Sequence, residues 1–344
     1  MSRLNFNNFV PKLQNLIRLV KIGNTELRDR PLLLAPMEDV TDPSFRYVCK
    51  MFGADMMYTE FISSDGLIRD GKKSLIKLEI SDEERPIGIQ LYGHILESMV
   101  KAAKIASQVN PDVIDINFGC PVRKIATRGA GAGMLNNIPL MIRITEEIVK
   151  STTIPVTVKT RLGWDETSKN IVDIAERLQD VGIKAITIHG RTRAQLYKGI
   201  ADWTLIGEVK KNPRMKIPVI GNGDIVSGPS AKYAFDKFGV DGIMIGRGTV
   251  GQPWIFKEIR HYLDTGKEME PLTVQEKVNL ARLHLKKSVE IKGEPRGIYE
   301  MRRHFCHYFK GLPDFREMRS KLVTTIELRE IDNLLNLIDK RYTT

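Results

Sequence analysis

The sequence predicts an α/β fold, a (β/α)8 TIM barrel followed by a C-terminal all-α helical bundle, on three observations. Eight short runs rich in Val, Ile and Leu recur along the chain, each bounded by Gly, Pro or polar turns, which is the pattern of buried parallel strands. Between them lie segments whose apolar residues return at three- and four-residue spacing, as amphipathic crossover helices require. From about Tyr262 the alternation stops and the sequence becomes helical.

In order, the strand runs are PLLLAPM (31–37), MMYTEF (56–61), PIGIQLYG (86–93), VIDINFG (113–119), PVTVKTRLG (155–163), AITIHG (185–190), PVIGNG (218–223) and GIMIGRG (242–248). LESMVKAAKIASQV, IPLMIRITEEIVKS and IVDIAERLQDVG supply crossovers. Eight such units over about 220 residues is the count and size of a closed barrel. A doubly wound open sheet would carry an early glycine fingerprint. The run GAGAGM at 129–134 lacks the GxGxxG order and does not open a first βα unit, so it marks no Rossmann nicotinamide site. The tail segments VQEKVNLARLHLKKSVEI, GIYEMRRHFCHYFKG, FREMRSKLVTTI and LREIDNLLNLIDK predict three or four packed helices. The division is an N-terminal extension at 1–30, a barrel at 31–261 and a helical domain at 262–344.

Composition narrows the class. Of 344 residues, 42% are apolar and 28% charged, as in a folded globular chain. Three cysteines, Cys49, Cys120 and Cys306, form no CxxC pair, which argues against a disulfide framework and a zinc site. Cys49 and Cys306 lie in helix-like segments and have structural settings. The apolar stripe of the N-terminus is broken by Lys12, Arg18 and Lys21, and no run reaches the ~18 apolar residues of a membrane span. A cytoplasmic address and no membrane partner are expected. The net charge of +11 favours a polyanion such as nucleic acid. From 282 to 321 eleven Lys or Arg stand against five Asp or Glu, a local excess of +6 that suits RNA phosphates. Within MRRHFCHYFK, Phe305, Tyr308 and Phe309 read as bundle core, with Arg302, Arg303 and Lys310 around them.

In such barrels the active site lies at the C-terminal ends of the strands. Here those ends carry Met37 and Glu38, Glu60, Gln90, Asn117, Lys159 and Arg161, His189 and Arg191, Asn222 and Asp224, and Arg247. GNGD after the seventh strand and GRG after the eighth offer exposed amides beside Arg247, a setting for phosphate. Gln90 and Lys159 interrupt otherwise apolar strands. A buried lysine needs a partner, which a flavin ring would supply, as would a barrel carboxylate such as Glu60 or Asp115. His189 and Arg191, two apart, should face the same way. No HExxH or clustered cysteine points to a metal. The stretch INFGCPVRK places Cys120 between Gly119 and Pro121, with Arg123 and Lys124 close behind.

APMEDVTDPSFR, QLYG, DINFGCPVRK, GAGAGML, VKTRLGW, HGRTRAQLYKG, GNGDI and MIGRG, in this order, resemble the tRNA-dihydrouridine synthases, specifically their bacterial B-type branch. The resemblance runs from about Leu33 into the C-terminal helices. It implies FMN in the barrel, tRNA held by the helical domain, and NADPH as the reductant of the flavin. It implies hydride transfer from flavin N5 to C6 of a uridine and a proton from Cys120 to C5. It implies Pro36, Met37 and Glu38 at the edge of the flavin pocket and Gln90 and Lys159 on the ring. His189, Asn222, Gly223, Asp224, Gly246 and Arg247 would then hold the ribityl phosphate end, with Asn117 near the uracil. One departure is local: Glu38 and Asp39 stand where many members have small residues. Arg123 and Lys124 are expected to face the RNA backbone, since too strong a field at Cys120 would leave thiolate. The target base sits stacked in the tRNA elbow and must be extracted. Competing readings are an FMN-dependent small-molecule oxidoreductase of the dihydroorotate dehydrogenase kind and a tRNA-binding protein without a reaction. A monomer is expected.

Overall fold

A hairpin of β1 (Val20–Ile22) and β2 (Thr25–Leu27) precedes the barrel in the computed structural model, which describes residues 19–343. Residues 1–18 of the expected extension lie outside the described residues. The hairpin was not read from the sequence, although Gly23-Asn24 between two alternating runs is a hairpin signal. Gly23 turns at φ +60°, and Val20, Ile22 and Leu27 pack with Leu33, Met56, Tyr58 and Val113. That burial removes apolar surface from water at one end of the barrel, a gain of several kcal/mol by an area estimate of about 25 cal/mol per Å².

All eight expected runs are strands: β3 (Leu32–Leu34), β4 (Met57–Tyr58), β6 (Ile87–Tyr92), β7 (Val113–Asn117), β8 (Val156–Arg161), β9 (Ile186–His189), β10 (Val219–Asn222) and β11 (Gly242–Ile245). A short β5 (Ile62–Ser63) pairs beside β6. The order β3-β11-β10-β9-β8-β7-β6-β4 is closed by a parallel bridge between Leu33 and Met56. Every residue of β7, β9, β10 and β11 is buried. Helices cover one face and stacked side chains fill the other, which is why these strands are apolar throughout.

The helix Ile255–Thr265 packs on the helix Gly228–Phe238 and runs through positions 261 and 262. Helices Val274–Lys292, Arg296–Tyr308, Arg316–Thr324 and Leu328–Tyr342 form the bundle. The first opens with a capping box, Thr273 accepting from the Glu276 amide while Glu276 accepts from the Thr273 amide. Phe305, Tyr308 and Phe309 are core, as expected. Among the described residues no helix is long and apolar enough to cross a membrane.

The bundle sits on the barrel helix Pro43–Met51. The Phe45 ring lies 5.7 Å from that of His284 and 4.7 Å from that of His304. Beside them Lys292 Nζ meets Asp42 Oδ2 at 2.7 Å and Glu300 Oε2 at 2.5 Å. Asp42 also caps its own helix, accepting from the Ser44 and Phe45 amides. Burial works to raise its carboxyl, but Lys292 and His284 overcome this and hold it well below the usual range. One carboxylate thus starts the first barrel helix and fastens the bundle to it.

Candidate active site

Strand register collects the polar residues. Asn117 on β7 pairs with Lys159 on β8, Arg161 on β8 with His189 on β9, and His189 with Asn222 on β10. Side chains two apart share a face, so Lys159 and Arg161 rise together. They line a cavity of about 560 Å³ at the strands' C-terminal ends, with Pro36, Met37, Glu38, Asn117, Cys120, His189, Asn222, Gly223, Asp224, Gly246 and Arg247. The size is that of a small-molecule or cofactor site.

Gln90, expected on the flavin ring, is not among the lining residues. Its Nε2 donates to Asp115 Oδ2 at 2.6 Å, and its Oε1 accepts from Asn117 Nδ2 at 2.8 Å. In this structure both ends of its amide are engaged by protein partners. Asp115 also accepts from Thr157 Oγ1 at 2.6 Å. Burial pushes its carboxyl up to about 6, against the hydrogen bonds from Gln90 and Thr157.

Asn117 carries the support upward. Its Oδ1 accepts from the Gly119 and Cys120 amides at 2.9 and 2.8 Å. The sharp exit from β7 is therefore held by this side chain. Gly119 has no positive φ, and a Cβ there would meet its neighbours at an ordinary 3.5 Å. Gly131, from the GAGAGM run, does need to be glycine: its φ is +55°, and a Cβ would lie 2.9 Å from the Cys120 carbonyl oxygen and 3.0 Å from Cys120 Cβ. The Ala132 amide donates to the same carbonyl at 3.0 Å. Cys120 is thus gripped from both sides and is 8% exposed at the cavity wall. Burial pushes its thiol up, and the Val122 amide and Arg161 offset this only in part. A thiol so placed keeps its proton at neutral pH. Arg123 and Lys124 lie exposed in the turn just beyond it.

Among the described residues, Lys159 Nζ reaches only the neutral Asn222 Oδ1, at 3.2 Å. Burial, reinforced by Arg161, lowers its ammonium to about 8. Burial and then Arg161, Lys159, Arg191 and Arg247 hold His189 well below its usual value, so its ring is neutral. Asp224 is held below the usual carboxyl value: burial works against the shift, while hydrogen bonds from Arg191 and Ala201 favour it. Its carboxylate takes Arg191 Nη2 at 2.6 Å and Arg247 Nη2 at 3.0 Å. A carboxylate committed in this way orients guanidinium groups, and only its backbone remains for an anion. Gly223 stands at φ +127°, where a Cβ would come within 2.6 Å of Ala201. Four cations, Lys159, Arg161, Arg191 and Arg247, surround the cavity and its far wall. An anionic cofactor with a hydrogen-bonding ring and a phosphate end matches this donor set.

Arg161, expected at the strand ends, and Tyr197, not placed at the site from the sequence, also line the cavity. Arg161 is 1% exposed, and its Nε donates to the Gly119 carbonyl at 2.7 Å. Its guanidinium and that of Arg247 lie 5.5 and 4.9 Å from the Tyr197 ring centre. HGRTRAQLYKG was noted as a motif, but nothing local says that its tyrosine returns to the cavity.

No metal was expected. Among the described residues, Glu38, Asp39 and Glu60 alone bring three carboxylates within 4.8 Å. Lys77 Nζ already meets Glu38 at 2.5 Å and Glu60 at 3.6 Å. The Asp39 amide donates to Glu60.

Barrel and cavity define the class, a (β/α)8 enzyme with a cationic, cofactor-sized pocket at the C-terminal mouth. The family described as Dihydrouridine synthase (Dus) matches residues 33–341, and the chain belongs to it. It is 40% identical over 302 residues to the probable tRNA-dihydrouridine synthase of Rickettsia bellii (strain RML369-C), covering 88% of this chain and 92% of that one. It is 39% identical over 301 residues to tRNA-dihydrouridine synthase B of Shewanella oneidensis, covering 88% and 92%. Among solved structures it is similar to a 2-naphthoyl-CoA reductase, with TM-score 0.57, 13% identity and 72% and 52% coverage. The old yellow enzyme of Trypanosoma cruzi gives TM-score 0.55, 12% identity and 81% and 97% coverage. Both are likenesses of fold alone.

Proposed function

We propose that this protein reduces the C5–C6 double bond of uridines in tRNA to 5,6-dihydrouridine, with FMN as resident cofactor and NADPH as reductant. The observation that carries the reading is a buried, protonated Cys120 thiol at the wall of a cationic pocket, braced by Asn117 and Gly131.

When bound, FMN supplies the hydride that reaches C6 of the uracil. Lys159, whose one hydrogen-bond acceptor is neutral, would hold the ring edge that carries negative charge. Arg247, with the backbone at Gly223, Asp224 and Gly246, would hold the phosphate. His189, neutral, can donate or accept beside it. Pro36, Met37 and Glu38 edge the pocket. Cys120 gives its proton to C5, where negative charge develops once C6 carries the hydride. The resulting thiolate is then reprotonated from solvent. Gln90 and Asn117 position that thiol through the amides they hold, and Arg123 and Lys124 face the RNA backbone. The barrel at 31–261 holds cofactor and base, and the helical region at 262–344 holds the RNA. Extraction of the base costs a few kcal/mol, offset by phosphate contacts. A cytoplasmic monomer is the expected form.

The test incubates flavin-loaded protein and NADPH with unmodified tRNA and maps dihydrouridine by position. The wild type should form it at defined uridines, and Cys120→Ala should lose it while keeping flavin. Unchanged turnover in that variant removes Cys120 from the reaction; a protein that takes up no flavin removes the reading.

A further inference from the structure

Apolar side chains stand exposed around the cavity mouth on three separate loops. Val122 is 52% exposed, Tyr197 52% and Val226 60%, and all three line the opening. The loop that carries Tyr197 also presents Leu196 at 40% and Ile200 at 84%. Single exposed apolar residues need no explanation, but a cluster around one opening marks a contact surface.

The frame beneath this cluster is rigid. Arg161 and Arg191 are each 1% exposed, and they direct their donors at carbonyl oxygens of the Tyr197 loop. Arg161 Nη1 reaches Thr192 and Leu196 at 2.9 and 2.8 Å. Arg191 reaches Lys198 through Nε at 3.1 Å and Gly199 through Nη2 at 2.6 Å. Leu196 is held at φ +53°, a left-handed conformation unfavourable for a branched residue. The adjoining Ala201 amide is tied to Asp224 at 2.7 Å. A free loop could fold its isoleucine inward; this one is fixed with Ile200 pointing into water. Arg161, which lines the cavity, and Arg191 beside it thus also fix the loop that carries the collar.

We propose that this apolar collar, Val122, Leu196, Tyr197, Ile200 and Val226, receives the nucleobases that flank the extracted uridine. The proposal rests on the tRNA reading and goes beyond it. A base drawn into the cavity leaves its two neighbours at the mouth without a stacking partner. Apolar and aromatic side chains supply such faces in single-stranded and kinked nucleic acid. Arg161 and Arg247 lie over the Tyr197 ring, and Arg193 lies 4.5 Å over the Trp164 ring. Aromatic and apolar faces among cations match nucleotides.

The test measures tRNA binding by fluorescence anisotropy with wild type, Ile200→Ala, Ile200→Leu and Leu196→Asn, the last tolerating a positive φ. Each binds intact tRNA and transcripts with one abasic nucleotide placed beside each elbow uridine in turn. Flavin content and flavin reduction by NADPH without RNA report folding and should not change. Ile200→Ala and Leu196→Asn should weaken binding of intact tRNA by ~3- to 10-fold, at and below the lower end of a base–aromatic stacking contact because these side chains are aliphatic, and Ile200→Leu should restore it. On the transcript lacking the contacted base, wild type and Ile200→Ala should bind alike. Equal affinity of Ile200→Ala and wild type for intact tRNA overturns the collar, as does the same loss on every abasic transcript. Binding that depends on Ile200 in a wild type that forms no dihydrouridine keeps the collar and sinks the functional reading instead.

Discussion

Cys120 acts as an acid only while it keeps its proton, and burial raises its pKa above the ordinary thiol value. The donor is therefore competent below that raised value and lost above it. Single-turnover reduction of tRNA should stay level through neutrality and decline only at alkaline pH; a decline beginning below pH 7 is incompatible with the role. Lys159 titrates lower, at about 8, because burial and Arg161 oppose its charge. As pH rises through that value the empty pocket loses its ammonium, so the FMN affinity of the apoprotein, read by fluorescence titration, should fall above about pH 8. Cys120 and Lys159 were legible because each breaks a local pattern, a thiol in a Gly-Pro turn and a cation in an apolar strand. For Gln90 the same rule signals a need for partners without saying whether they are ligand or protein. Here they are Asp115 and Asn117. Tyr197 escaped because its approach to the pocket depends on the path of a loop.

At the scale of elements, the eight strands were readable because burial on both faces writes itself as continuous hydrophobicity. The glycine run at 129–134 was readable as a family motif and as the absence of a nucleotide fingerprint, but not for what it does. Its use is steric, a 3₁₀ turn (Gly131–Asn136) laid against the cysteine turn. Gly131→Ala should thus push on Cys120 while leaving Lys159 and the phosphate loops alone. The expected result is a fall in tRNA reduction of about 10-fold or more, the scale on which misplaced catalytic groups act, with flavin content unchanged. Equal loss of flavin and activity would mean the turn supports the whole barrel. The β1–β2 hairpin was missed because its strands are three residues each and gain their meaning from the barrel end they cover.

Across the molecule, charge was visible in the composition but its division was not. Of the cations between 282 and 321, Lys292, Arg282, Arg296 and Lys321 are consumed in ion pairs. Arg303, Lys310, Arg316 and Arg319 form none among the described residues, so they are available to phosphates. If all four release counterions, log affinity for tRNA should fall against log salt with a slope of about −3, and Arg316→Ala with Arg319→Ala should reduce it by about 1.5. A slope unchanged in that double variant places the RNA elsewhere. The angle between bundle and barrel was beyond the sequence, because it rests on Lys292 finding Asp42 across some 250 residues of chain. That contact has a geometric meaning for an enzyme whose reaction is the same at every uridine. The bundle is a caliper with one jaw fixed to the helix that follows the first pocket loop. If the bundle grips the RNA as proposed, the nucleotide that reaches the pocket is selected by a distance measured along folded RNA, and resetting that distance would redirect the chemistry without altering one atom of the pocket.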